Sequence, residues 1–411
     1  MNYKKFLLIF YLLFLFYPRF SVFLFEVNYF CIVLFSIFLI SKIKNCSNNE
    51  LFKIFLTFFV LKVLFVFKSP ILSDDIYRYL WEGKVFLNGF NPYINPPNST
   101  NLLFLRDQIF IYINHKNLPA IYPPFMLIFN SIIVKICYSV KFYKFILFLF
   151  DIATFILILI ICNEIKINPR YSMLYFTHPL PLIEIEWNGH NDIVMIFLFL
   201  ISLYFLIKNR FIKSSFFYAL SVLSKFIYLI FAKEFLKNLK SIIVFLFVVI
   251  FMYLIFICSD KNIFYSLNIY LKNWEFNGSI YKILKYFVKN HTIIRIILLG
   301  IFGLSWVIIN FKVKNIFKRM LFLILSFILC SPTVHPWYGL WILPFLSFEF
   351  ISEIYIFLLC LPFSYYILND YLNYGIWKEN NLITFFIYLP ILFLLIKKII
   401  CNKGNNYAAR I

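Results

Sequence analysis

Residues 73 to 93 read Ser-Asp-Asp-Ile-Tyr-Arg-Tyr-Leu-Trp-Glu-Gly-Lys-Val-Phe-Leu-Asn-Gly-Phe-Asn-Pro-Tyr, an acidic and aromatic island in a chain that is 63 % hydrophobic. A carboxylate held beside a membrane can take the proton from an attacking hydroxyl while a phosphate departs on the other side. Adjacent carboxylates repel, which lifts one of them toward a base's working range. Asp75 is therefore the candidate general base, with Asp74 as its alternate. Arg78 offers a cationic fork suited to phosphate, and Tyr77, Tyr79 and Trp81 offer ring faces for a sugar or for the interfacial aromatic belt, with Glu82 beside them. That set points to sugar transfer at a membrane surface. The simpler reading is that Ser73 or Asp74 caps an interfacial helix. Two aspartates without a further ligand are a weak metal signature, so no cofactor is expected to be required and a divalent cation is the less favoured option.

Other polar stretches interrupt the apolar chain further on. Tyr122 lies in Ile121-Tyr122-Pro123-Pro124. His190, Asn191 and Asp192 close the run Asn188-Gly189-His190-Asn191-Asp192, which follows Glu184 and Glu186. Lys225 sits alone in an apolar segment, and His335, Trp337 and Tyr338 fall in Ser331-Pro332-Thr333-Val334-His335-Pro336-Trp337-Tyr338. These residues are candidates for sugar hydroxyls and phosphate, although a lone histidine is more often structural and two prolines can simply end a helix.

The elements that carry them are expected to be membrane helices. With 23 % aromatic residues and a mean hydropathy of +0.86, an ordinary soluble domain is excluded. Apolar segments lie near 6–25, 28–41, 51–67, 121–138, 145–162, 171–187, 192–207, 214–236, 241–257, 292–309, 320–331, 338–350, 353–368 and 382–396. The expected fold class is all-α, a polytopic transmembrane protein of roughly 12 to 14 helices at about 20 residues each. It is read as a single integral-membrane domain over residues 1–411, with an external loop at 69–120 carrying interfacial helices and a second long loop at 258–291. The net charge of +21 reads as topology and not as nucleic-acid binding, because Lys and Arg cluster between apolar segments. Lys4 and Lys5 precede an uncleaved first helix, and the basic clusters then fall on the cytoplasmic side if 121–138 lies along the outer interface and 214–236 turns back near Lys225. Asp75, His190 and His335 come out on the external face. The eight cysteines show no paired spacing.

Taken together, Asp75-Ile76-Tyr77-Arg78-Tyr79-Leu80-Trp81-Glu82-Gly83, Asn91-Pro92-Tyr93, Ile121 to Pro124, His190-Asn191-Asp192 and Ser331 to Tyr338 resemble integral-membrane glycosyltransferases of the GT-C fold. The resemblance is to the polyprenol-phosphomannose-dependent alpha-1,6-mannosyltransferase-like group. It implies an inverting transfer from a polyprenyl-phosphate sugar to an envelope glycolipid or glycan, in the cell membrane with the site outside, Asp75 acting as base without a metal. The chain departs from the group at His178, where asparagine is usual, and at Glu82, where aspartate is usual. The alternative class is a multispanning transporter or lipid-linked-sugar flippase, for which ionisable groups at mid-bilayer and paired halves are expected. Asp151, inside an apolar segment, is the feature that favours it.

Overall fold

The computed structural model describes residues 22–43, 45–257 and 262–408. Lys4, Lys5 and most of the first apolar segment lie outside the described residues. The chain runs through α1 (Val22–Ile43), α2 (Asn48–Val66), α3 (Asp75–Leu87), α4 (Pro124–Ile136), α5 (Val140–Glu164), a π-helical turn at Leu182–Trp187, α6 (Asp192–Ile207), α7 (Phe211–Val222), α8 (Leu239–Leu254), α9 (His291–Lys312), α10 (Ile316–Cys330), α11 (Ser352–Cys360) and α12 (Asn381–Ala408), joined by shorter helical turns. Among the described residues the only extended pairing is an isolated bridge of Phe276 and Asn277 to Thr333. Among the described residues three stretches, Val140–Glu164, His291–Lys312 and Ser352–Tyr374, are long and apolar enough to cross a membrane, and further apolar helices of 10 to 17 residues accompany them. The protein is an all-helical membrane protein.

Local chemistry sets several helix starts. Asn238, Asn290 and Asn315 each use a side-chain oxygen to accept a backbone N–H of the first turn, at the heads of α8, α9 and α10. Pro123 and Pro124 open α4, where a missing N–H costs nothing. At 13 residues α4 rises only about 20 Å, short of the hydrocarbon core.

Some expected spans are not continuous helices. Segment 171–187 is a series of short turns that ends in the π-helical turn. Pro179 and Pro181 deny it backbone donors, and its buried His178, Glu184 and Glu186 need partners that a lipid-facing helix lacks. Segment 214–236 stops at Val222 and resumes as a 3₁₀ turn at Phe226–Phe231, with Lys225 extended between them. Segment 338–350 is built of 3₁₀ turns that start at Pro336 and Leu343.

The chain divides into two compact units, the first comprising residues 1–61, 173–180 and 275–411, the second residues 62–172 and 181–274. In the first unit α9 lies on α10 and α11 on α12, while Tyr29 of α1 donates to the carbonyl of Leu359 at 2.8 Å. In the second unit α6 packs between α5 and α7, and α7 lies on α8.

Also in the second unit, α3 buries Ile76, Tyr79, Leu80 and Gly83, one stripe at helical spacing. This stripe faces α4, and Gly83 lets the two backbones approach: a Cβ there would stand 2.8 Å from the carbonyl carbon and oxygen of Asn130. Gly83→Ala is expected to force the helices apart at a cost of about 1–3 kcal/mol, read as a lower melting temperature in detergent. An unchanged melt would mean that α3 and α4 are not held at this distance.

Candidate active site

The second unit gathers most of the candidate residues at the heads of α3 and α6 and in the loops beside them. Asp74 is exposed and Asp75 half-buried at the start of α3. The Asp74 side chain caps nothing; the Asp75 N–H goes instead to Ser73 Oγ at 3.3 Å. Asn114 Nδ2 donates to Asp74 Oδ1 at 2.6 Å and to Asp75 Oδ1 at 3.0 Å, tying the two carboxylates together. Desolvation, with the charge of Asp74 added, pushes the Asp75 carboxyl up to about 6. Asn114 and Lys225 pull the other way, and Asp192 adds to the rise. A carboxylate of that basicity is suited to accept a proton near neutral pH.

Around Asp75 stand His190, with Nδ1 3.9 Å from Asp75 Oδ2, and Lys225, whose Nζ meets Asp192 Oδ1 at 2.7 Å. Lys225 Nζ also lies 5.7 Å from the ring centre of Tyr122. The hydroxyls of Tyr122 and Tyr79 are 3.1 Å apart. Asp192 heads α6, where a carboxylate is favoured by the exposed N–H groups of the first turn. Asn191 is buried next to it. Among the described residues, no group of three or more His, Cys, Asp or Glu side chains is arranged to hold a metal ion.

Four expected substrate contacts, Arg78, Glu82, Trp81 and Tyr77, pack against the chain's own residues. Arg78 has five N–H donors. Its Nε meets Glu82 Oε1 at 2.7 Å, Nη1 meets the carbonyls of Asn114 at 3.3 Å and His115 at 3.1 Å, and Nη2 meets those of Leu118 and Pro119. The fork is filled by its own chain, so it clamps loop 114–119 and leaves no donor for a phosphate. Glu82 is buried as the partner of that clamp. Trp81 is fully buried among Val85, Leu102, Leu105 and Ile113, as a core ring and not a sugar platform. Tyr77 is half-buried and stacks on Tyr112 at 5.0 Å.

His335, Trp337 and Tyr338 belong to the first unit. There His335 stacks on Trp337 at 4.2 Å and on Phe276 at 5.0 Å, and Tyr338 stacks on Trp341 at 3.9 Å. His178, also in that unit, accepts the Leu180 N–H through Nδ1 at 3.1 Å and meets Tyr355 edge-on.

Three groups in the second unit were not anticipated as a set. Lys62 Nζ binds Asp151 Oδ2 at 2.8 Å and Glu186 Oε2 at 3.3 Å, all three side chains fully buried. The partners are 89 and 124 residues from Lys62, so spacing gives no hint of the pairing. The signal in the sequence is that Lys62, Asp151 and Glu186 each lie inside an apolar segment, where an ionisable group requires a partner. Paired through Lys62, Asp151 braces the π-helical turn.

An all-helical membrane protein thus groups a raised carboxyl, a lysine and paired tyrosines at helix ends. The chain belongs to the alpha-(1->6)-mannopyranosyltransferase family: the model for its N-terminal domain matches residues 19–237, just over half of the chain and every member of the cluster from Asp74 to Lys225. It is a mannosyltransferase of the membrane. No curated protein and no solved structure matches the chain.

Proposed function

We propose that the chain moves a mannosyl unit from a polyprenyl-phosphate donor to a hydroxyl of an envelope glycolipid or glycan. In this reading it is a GT-C enzyme of the cytoplasmic membrane with its site on the external face, and it inverts the anomeric centre. The observation that carries the reading is Asp75, half-buried at a helix head with its carboxyl raised to about 6, inside the region that matches the family. The acceptor oxygen attacks the anomeric carbon, and its proton passes to Asp75. The bond from that carbon to the phosphate oxygen breaks, and the electron pair leaves with the lipid phosphate, which gains one negative charge. Lys225, anchored by Asp192, supplies the nearest point charge for that phosphate, and Tyr122 offers a ring or a hydroxyl to the sugar. Asn191 and His190 line the same cluster. No step requires a metal.

The pH dependence of transfer tests this assignment. A base must be ionised to act, and the raised carboxyl of Asp75 is neutral below its pKa. The rate with polyprenyl-phosphomannose is expected to be full above about pH 7 and to fall as pH drops through about 6. A rate that stays flat down to about pH 4, the range of an ordinary aspartate, would remove Asp75 from the role of base.

A further inference from the structure

The π-helical turn Leu182–Trp187 is an unusual element, and such turns often mark functional positions. Its two carboxylates have separate partners. Glu186 goes to Lys62 and Asp151, as described, while Glu184 Oε2 lies 3.5 Å from His190 Nε2. Glu184 and His190 are both buried, and the N–H of His190 also donates to the carbonyl of Glu184 at 2.8 Å. The other ring nitrogen of His190 faces Asp75 at 3.9 Å. One imidazole thus stands between the candidate base and a buried carboxylate.

The loop that presents His190 is fixed from several sides. Asn188 Oδ1 accepts the N–H of Leu72 at 3.1 Å, and Trp187 Nε1 donates to the carbonyl of Ser69 at 2.9 Å, so both residues hold the segment that leads into α3. Gly189 has φ +78°, and a Cβ there would sit 2.3 Å from Ile76 Cδ1. The left-handed backbone there favours glycine, and a side chain would have to displace the tip of Ile76. These contacts tie the loop that carries His190 to the segment that carries Asp75.

We propose that Glu184 and His190 form a proton relay behind Asp75: His190 positions the Asp75 carboxylate and takes over the proton removed from the acceptor, while Glu184 orients the imidazole and offsets its charge. This rests on the transferase reading above. The proton moves from the acceptor oxygen to Asp75 and then, across the 3.9 Å gap by one bridging water or on closure to hydrogen-bond distance, to His190 Nδ1, leaving an imidazolium whose Nε2–H faces Glu184. It returns to solvent before the next turnover, when Asp75 is again ionised. Bond making and breaking at the sugar are unchanged, and no redox step occurs. His190 and Glu184 are positioning residues, since neither needs to touch the sugar. The other charged or titratable groups facing Asp75 are Asp74, Asp192, Lys225, Tyr79, Tyr122, Glu82 and His115.

The test compares wild type, Glu184→Gln, His190→Ala and Asp75→Asn in detergent with polyprenyl-phosphomannose and an acceptor extract, across pH, with and without added imidazole. Glu184→Gln and His190→Ala are expected to lower kcat by about 10- to 100-fold with the donor KM unchanged. The relay needs ionised Asp75 and neutral His190 before each turnover; losing His190, or the Glu184 charge that favours its protonated form, lifts the second requirement, so the acid limb of the rate moves to lower pH. Added imidazole is expected to restore part of the His190→Ala rate. If Asp75→Asn is inactive while both variants keep the wild-type acid limb and imidazole restores nothing, the relay is wrong and the base assignment stands. If Asp75→Asn keeps full activity, the transferase mechanism itself is wrong. Should His190→Ala fail to fold, the acid limb of Glu184→Gln decides alone.

Discussion

Asp75→Asn is expected to reduce mannosyl transfer by about 10²- to 10⁴-fold, with the protein still folded. The change keeps size and the contact to Asn114 but replaces the basic carboxylate with an amide too weakly basic to take up the acceptor's proton. Folding is expected to survive because Asp75 is half-buried and its negative charge is opposed by those of Asp74 and Asp192. Asp74→Asn has the opposite character. Asp74 is exposed and acts on Asp75 through its charge, so removing it lowers the Asp75 carboxyl. The rate then stays near wild type at neutral pH and its acid limb moves to lower pH. Equal and large losses in both variants would mean that the two carboxylates act as a unit, not as base and neighbour.

The second large effect concerns the buried brace. Lys62→Ala would leave Asp151 and Glu186 facing each other without a cation at a fully buried position. Breaking a buried pair by removing one partner costs about 3–5 kcal/mol, since the remaining charge has nothing to balance it. The expected result is a large drop in melting temperature, or failure to accumulate in the membrane. Replacing all three side chains with apolar residues of similar size is expected to recover much of that loss, because desolvation then disappears together with attraction. If Lys62→Ala melts like wild type, the three groups are not held together as described.

Part of the candidate site stood out in the sequence because polar residues are conspicuous in an apolar chain. Asp75, His190, Asp192 and Lys225 stood out as polar residues between apolar runs, and the second unit brings them together. Lys225 was expected at a turn, and the helix does break there. Arg78 was misread because residue type and place suggested phosphate. The spacing of Arg78 to Glu82, four apart on a helix, carried the other reading, an intrahelical pair. Trp81 was misread because aromatic belts and aromatic cores look alike in composition. Glu184 was noticed only as a flanking acid, since no periodicity signals a π-helical turn. Lys62, Asp151 and Glu186 meet through tertiary packing, which one sequence does not encode in any local pattern.

Helix content and membrane character followed directly from hydropathy, whereas continuity did not. The segments that failed as single helices are those with internal prolines or buried charges, where the backbone breaks to give polar groups partners. Hydropathy alone also left transferase and transporter side by side. The family match separates them.

The most direct test of the account is transfer by purified wild-type protein supplied with sugar-labelled polyprenyl-phosphomannose and envelope glycolipid, with EDTA present, followed by determination of the anomeric configuration of the product. The account predicts metal-independent transfer with inversion at the anomeric carbon. Transfer only from a nucleotide sugar, a strict need for a divalent cation, or a product that retains the donor configuration would contradict it.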